Sequence, residues 1–172
     1  MKIMGIVLLL ALLLAVLVVG AGQMGFFSGR APDGLGVQAG RLKAPSETPN
    51  SVSSQAGLFP GHPQRRYADI APFTYTGDGQ AALRRMAGLL QASERCLLVT
   101  QSTDYLYAQC STRWLKFTDD VEFYLDASAG VIHVRSASRI GRSDLGVNRA
   151  RVEALRMRFA AGGKTAEIHQ KQ

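Results

Sequence analysis

The chain has 172 residues, enough for one compact domain with appendages and too few for two large independent cores. Its 20 Lys and Arg stand against 13 Asp and Glu, and the resulting net charge of +7 excludes an acidic disordered chain. With 2 Cys, 6 Pro and 18 Gly it is neither a disulfide-dense miniprotein nor a collagen-like polymer.

The first element is the apolar run from Ile3 to Val19, preceded by Lys2 and followed by no further charge until Arg30. Uncharged, mostly apolar sequence continues through Gly22, which suits a spanning helix of about 20 residues. Val19-Gly20-Ala21 also satisfies the small-residue pattern of a signal-peptide cleavage site. The run is long for a signal, and Phe26-Phe27 suit a membrane interface, so residues 1–27 are read as an uncleaved anchor over cleavage, meeting the bilayer through residues 3–22. A lipoprotein is excluded because no Cys occurs in the first 95 residues. Lys2 held inside places the rest of this single-pass protein on the non-cytoplasmic, periplasmic side.

From Ser28 to Arg66 the chain holds five of its 6 prolines and shows no apolar period, so it reads as a tether. Asp78 to Gln91 then predicts an amphipathic helix, with Leu83, Met86 and Leu90 on one face and Thr76 or Asp78 as cap. Cys96 to Gln101 and Tyr105 to Cys110 read as a hairpin around Ser102-Thr103-Asp104. With that loop, Gln101 faces Tyr105 and Cys96 faces Cys110. The two cysteines are then either bridged or two separate buried thiols, and the spacing leaves both readings open.

Leu115 to Leu125 and Val131 to Ala137 are the next predicted strands, joined by the turn Asp126 to Gly130. A last helix is predicted from Asn148, its N-cap, to Ala160, with Val152, Leu155 and Phe159 inward and Gly162-Gly163 as terminator. The expected fold is α+β: a small antiparallel sheet of about four strands with two helices packed on one face, preceded by an N-terminal transmembrane helix.

Charge is unevenly distributed. Asp119, Asp120, Glu122 and Asp126 occur with no basic residue between Phe117 and Asp126, whereas Arg135 to Arg158 holds seven arginines against Asp144 and Glu153. On a strand Asp120 and Glu122 share one face and Asp119 points with Val121 and Phe123 to the other. The leading reading is a structural ion-pair network with Arg135 and Arg139 as partners. A second takes Asp119, Asp120 and Glu122 as oxygen ligands for a hard cation in a metal-assisted, carboxylate-centred enzyme. A third takes Arg135, Ser136, Ser138, Arg139, Arg142, Asn148 and Arg149 as an anion site ahead of the last helix, with Asp144 opposing it unless paired.

His62, His133 and His169 are scattered and set no catalytic triad, neither Cys has a neighbouring base, and no phosphate-binding glycine loop is present. The sequence therefore favours a non-enzyme without cofactor. Export also makes nucleic acid an unsuitable partner despite the aromatic and basic residues.

Three blocks carry a family resemblance: Asn50-Ser51-Val52-Ser53-Ser54-Gln55, Phe117 to Phe123, and the ordered run from Arg135 to Glu153. Over roughly residues 48–160 the chain resembles the family called domain of unknown function 1499. The resemblance implies a bacterial or plastid-type, commonly exported or membrane-attached protein, and no established activity. That family often shows Cys where this chain has Ser51, which leaves Cys96 and Cys110 to each other or to nothing. The expected organisation is an anchor or signal segment at 1–27, a Gly/Pro-rich tether at 28–47, the domain at 48–160 and a polar tail at 161–172. The expected function is a membrane-anchored envelope protein whose exported domain binds a partner protein or a small anionic ligand.

Overall fold

The computed structural model describes residues 2–170, with side chains through 163. Its apolar run forms one helix, α1 (Lys2–Gln23), which is long and apolar enough to cross a membrane and has none of its most apolar stretch buried in the protein. Helix α2 is a single short turn (Arg65–Ala68). The remaining elements are β1 (Ser51–Ser53), β2 (Phe73–Thr74), α3 (Gly79–Gln91), β3 (Cys96–Gln101), β4 (Tyr105–Ser111), β5 (Thr118–Asp126), β6 (Val131–Ser138) and α4 (Val147–Gln170).

The strands form one antiparallel sheet in the order β1-β6-β5-β4-β3, with β2 pairing further along β6. Six strands thus replace the expected four. The additions, β1 and β2, are too short to show an alternation of their own and exist because β6 offers an open edge to both. Between β3 and β4 the register holds Cys96 opposite Cys110 and Leu98 opposite Ala108, then shifts at Val99 so that Gln101 meets Leu106 rather than Tyr105. Val99 is a bulge, the extra residue that lets the hairpin twist.

Alternation along β5 and β6 sends Val121, Phe123, Val134 and Ile132 to one face, where α3 and α4 cover them with Leu83, Met86, Leu90, Val152, Leu155 and Phe159. Phe73 fills the centre, its ring edge-on to Phe123 at 5.8 Å and to Phe159 at 5.6 Å. Complete burial of such a ring stabilises the fold by about 1.5–3 kcal/mol. Helix α3 starts where Asp78 accepts hydrogen bonds from the Gln80 and Ala81 amides, which selects it over Thr76 as the cap.

Two further expectations are corrected. Helix α4 runs through Gly162-Gly163 to Gln170, because glycine costs a helix only about 1 kcal/mol and a bare backbone here accommodates Arg85, whose Cδ would lie 3.3 Å from a Cβ at Gly162. Of the expected polar tail, residues 171–172 and the side chains from 164 onward, His169 among them, lie outside the described residues. The segment 28–47 is also no free tether. It crosses the sheet face opposite the helices as a strap, pinned by buried Leu42, whose amide donates to Gln55 Oε1 at 2.8 Å.

Candidate functional site

Beneath the strap, β5 presents Asp120 and Glu122, β6 presents Arg135, and β4 presents Tyr105 and Tyr107. Arg135 Nη1 lies 3.3 Å from Glu122 Oε2, with both side chains almost wholly buried. Glu122 Oε1 accepts from the Tyr105 hydroxyl at 2.9 Å and from the Gly36 amide at 2.8 Å, while Arg135 Nε donates to the Ala44 carbonyl at 3.2 Å. Strap and sheet thus complete each other's hydrogen bonds. Two residues earlier on β5, Asp120 is gripped by Arg139 through Nε at 3.0 Å and Nη2 at 2.7 Å, and Tyr107 donates to the same carboxylate at 2.6 Å.

Burial governs the protonation of this layer. It pushes the Tyr105 and Tyr107 hydroxyls up, helped by the carboxylates Glu122 and Asp120, so both stay protonated donors. Burial lowers Arg135 against the opposing pull of Glu122 and Asp120, whereas the hydrogen bond to Asp120 raises Arg139.

On the helix face Asp119 pairs with Arg151 of α4. Arg151 Nη1 also reaches Asn148 Oδ1 at 2.9 Å and Ser136 Oγ at 3.1 Å. The Asn148 amide group donates to the Asn50 carbonyl, the Ser138 hydroxyl and Asp144 Oδ2, tying β1, β6 and α4 together. Asn148 therefore is not the N-cap: α4 starts at Val147, which leaves Gly146 at the cap position. The missing side-chain acceptor is supplied from two residues further out by Asp144, which accepts from the Gly146 and Asn148 backbone amides at 3.0 Å each and from the Tyr67 hydroxyl. The electropositive start of α4 is thus filled by the chain's own carboxylate.

Burial works to raise the Asp144 carboxyl, but the hydrogen bonds from Tyr67, Asn148 and Gly146 outweigh it and hold the group below its usual range. A depressed folded-state value means the contribution is complete above the ordinary carboxylate range and disappears as pH falls through the folded-state value. Asp144→Asn is accordingly expected to lower stability at neutral pH and to flatten its loss on acidification, read as urea midpoints between about pH 7 and pH 2. Equal acid slopes in variant and parent would show that other carboxylates set the acid limb.

The structure divides the residues expected to act together. Asp120 and Glu122 face the strap and Asp119 faces α4, so the three cannot converge on one cation. Among the described residues no group of three His, Cys, Asp or Glu is placed to hold a metal ion. The expected anion set is split as well. Arg135 and Arg139 lie with their carboxylates under the strap, and Ser136, Ser138 and Asn148 are bonded to one another on the helix side. Arg149 donates to the Tyr67 and Asp69 carbonyls, and Arg142 is exposed on the loop before α4. Sequence reasoning missed Arg151 as the partner of Asp119, and it missed the tyrosines. The spacing of Tyr105 and Tyr107 on β4 carried that signal, since residues two apart share a face.

Open space lies elsewhere. A groove of about 740 Å³ runs between the end of α3, the start of α4 and the β3–β4 hairpin. Cys96 and Cys110 form a disulfide in its wall, across the pair that opens β3. Arg95, Arg113, Arg151 and Arg158 line it against a single acid, Glu94. Arg158 Nη1 donates to Ser93 Oγ at 3.2 Å, bracing one guanidinium across the opening.

The family described as "Protein of unknown function (DUF1499)" matches residues 41–159. The chain belongs to the DUF1499 family. That match takes in the whole sheet, the Asp119–Arg151, Asp120–Arg139 and Glu122–Arg135 pairs, and the strap from Arg41 onward. No curated protein and no solved structure matches this DUF1499 chain.

Proposed function

We propose that this DUF1499 protein is a membrane-anchored envelope protein whose domain, on the non-cytoplasmic side, binds a small anionic ligand. The groove carries this reading: Arg95, Arg113 and Arg158, with Glu94 as the one acid, line about 740 Å³ beside Arg151, which is already paired with Asp119, while Asp120 and Glu122 are neutralised by Arg139 and Arg135 on the other face of the sheet. Guanidinium groups converging on one opening favour phosphate or carboxylate ligands, which they bind bidentately. The anchor reading is supported by α1, and the sidedness by Lys2 as the sole charge ahead of residue 28 and by a disulfide, which suits an oxidising compartment.

Two measurements test it. Pyrophosphate is expected to raise the thermal midpoint of the full chain in detergent, and the Arg95→Ala/Arg158→Ala double variant is expected to abolish that rise. A rise unaffected by the double variant, or none in the parent, removes the groove as the site. Protease added to sealed, right-side-out membrane vesicles is expected to digest the domain; full protection would overturn the assigned side.

A further inference from the structure

The apolar helix does not end in open solvent. Gly22, in its last turn, lies against the loop 112–117 so closely that a Cβ there would come within 2.7 Å of the Leu115 carbonyl oxygen. Gln23 Nε2 donates to the Trp114 carbonyl at 2.6 Å, and Phe27 stacks on Phe117 with ring centroids 5.4 Å apart. Gly29 packs against Arg139 and Ile140, which open the loop before α4. The end of α1 is therefore held beside two loops of the domain, 112–117 and 139–146.

Length fixes where that end stands. The 22 residues of α1 rise by roughly 33 Å at about 1.5 Å each, close to the thickness of a hydrocarbon core of about 30 Å. Little helix is left over to lift the domain away, so the two loops stand at headgroup depth. Their exposed residues suit that place. Trp114 is 63% exposed and Leu145 is 92% exposed, each carried on a loop that contains a non-glycine residue with positive φ, Lys116 at 55° and Leu145 itself at 50°. A strained, solvent-facing leucine gains nothing from the fold, and the cost of that backbone points to a use outside it. Exposed Arg113 and half-buried Lys116 share the loop of Trp114, exposed Arg142 shares that of Leu145, and exposed Arg95, next to exposed Glu94, is joined to the foot of the first loop by the Ser111 amide, while Asp144 is turned inward at the start of α4. At the far end of the sheet the hairpin turns carry Asp104 and Asp126 and no Lys or Arg.

We propose that this basic, apolar-tipped end of the domain is seated on the lipid bilayer, with Trp114 and Leu145 among the headgroups and the surrounding basic residues on the phosphates of anionic lipids. It rests on the anchoring half of the reading above and shares Arg95 and Arg113 with the lining of the groove, whereas Lys116, Arg142, Trp114 and Leu145 lie outside that lining. Interfacial Trp and basic residues beside anionic lipid are the chemistry such a seat uses.

Trp114 is the chain's 1 Trp, so its fluorescence reports this contact directly. The full chain is reconstituted into phosphatidylcholine vesicles with and without phosphatidylglycerol, containing lipids brominated near the headgroup, and the vesicles are floated. Co-flotation with a blue-shifted Trp114 emission and quenching of roughly twofold or more in the anionic vesicles is the expected result. Arg113→Glu/Lys116→Glu and, separately, Leu145→Asn should each reduce the quenching while circular dichroism stays unchanged. Co-flotation with unquenched Trp114 overturns the seat and leaves the anchor standing; failure to float overturns both. Quenching that is indifferent to phosphatidylglycerol and survives the charge reversal overturns the seat as an anionic-lipid contact.

Discussion

Replacing Arg135 by methionine is expected to cost about 3–5 kcal/mol of stability, because it leaves a carboxylate unpaired in a dry layer. Glu122 is completely buried and its partner 97% so, hence water cannot replace the lost guanidinium. The Tyr105 hydroxyl and Gly36 amide still donate to Glu122, which places the loss toward the lower end of that range. The double variant Glu122→Gln/Arg135→Met is expected to recover to within about 1–2 kcal/mol of the parent, since a neutral amide keeps an acceptor for both donors and strands no charge. Urea midpoints of the full chain in detergent give both numbers. Equal losses in the single and double variants would show that the ion pair itself, and not the stranded carboxylate, carries the stability.

The second large effect is expected at the disulfide. Cys96→Ser/Cys110→Ser opens a covalent loop with a sequence separation of 14, and chain entropy alone assigns such a loop about 3 kcal/mol. Cys110 is buried on the core face beside Ala108, so its serine replacement adds a hydroxyl that needs a partner. Reduction of the parent should lower the urea midpoint by slightly less than the double variant does. A drop under about 1 kcal/mol would mean that the hairpin, with its bulge at Val99, holds the two strands in place unaided.

What the sequence made legible was what periodicity encodes. Leu83, Met86 and Leu90 marked α3, and the alternation of β5 placed Asp119 opposite in direction to Asp120 and Glu122, as found. The register beyond Val99 was not legible, because a bulge depends on twist across the pair and leaves no periodic trace. β1 and β2 were hidden for a related reason: three and two residues carry no pattern, and only β6 makes them strands. At the candidate site the clustering of acids and arginines was visible, but their assignment depended on tertiary detail. Asp144 looked like an obstacle to an anion at the start of α4 and is in fact the anion there. The strap escaped because its bonds to the sheet run through backbone groups of Gly36 and Ala44, which any residue could supply.

The strap also bears on how the chain can assemble. Its contacts with the sheet join Gly36 to Glu122, Ala44 to Arg135 and Gly29 to Arg139, separations of 86, 91 and 110 residues. A chain made from its N-terminus holds these early residues idle until β5 and β6 exist to receive them. Closing so long a loop is slow in proportion to the entropy it must lose. Until closure, Asp120 and Glu122 stand in water, where a carboxylate is at home. Docking α4 already buries the Asp119–Arg151 pair, but the two pairs on the opposite face need not be dried while the core is collapsing: α3, α4 and the apolar face of the sheet can condense first, and Asp120–Arg139 and Glu122–Arg135 are covered when the strap descends on partners already in register.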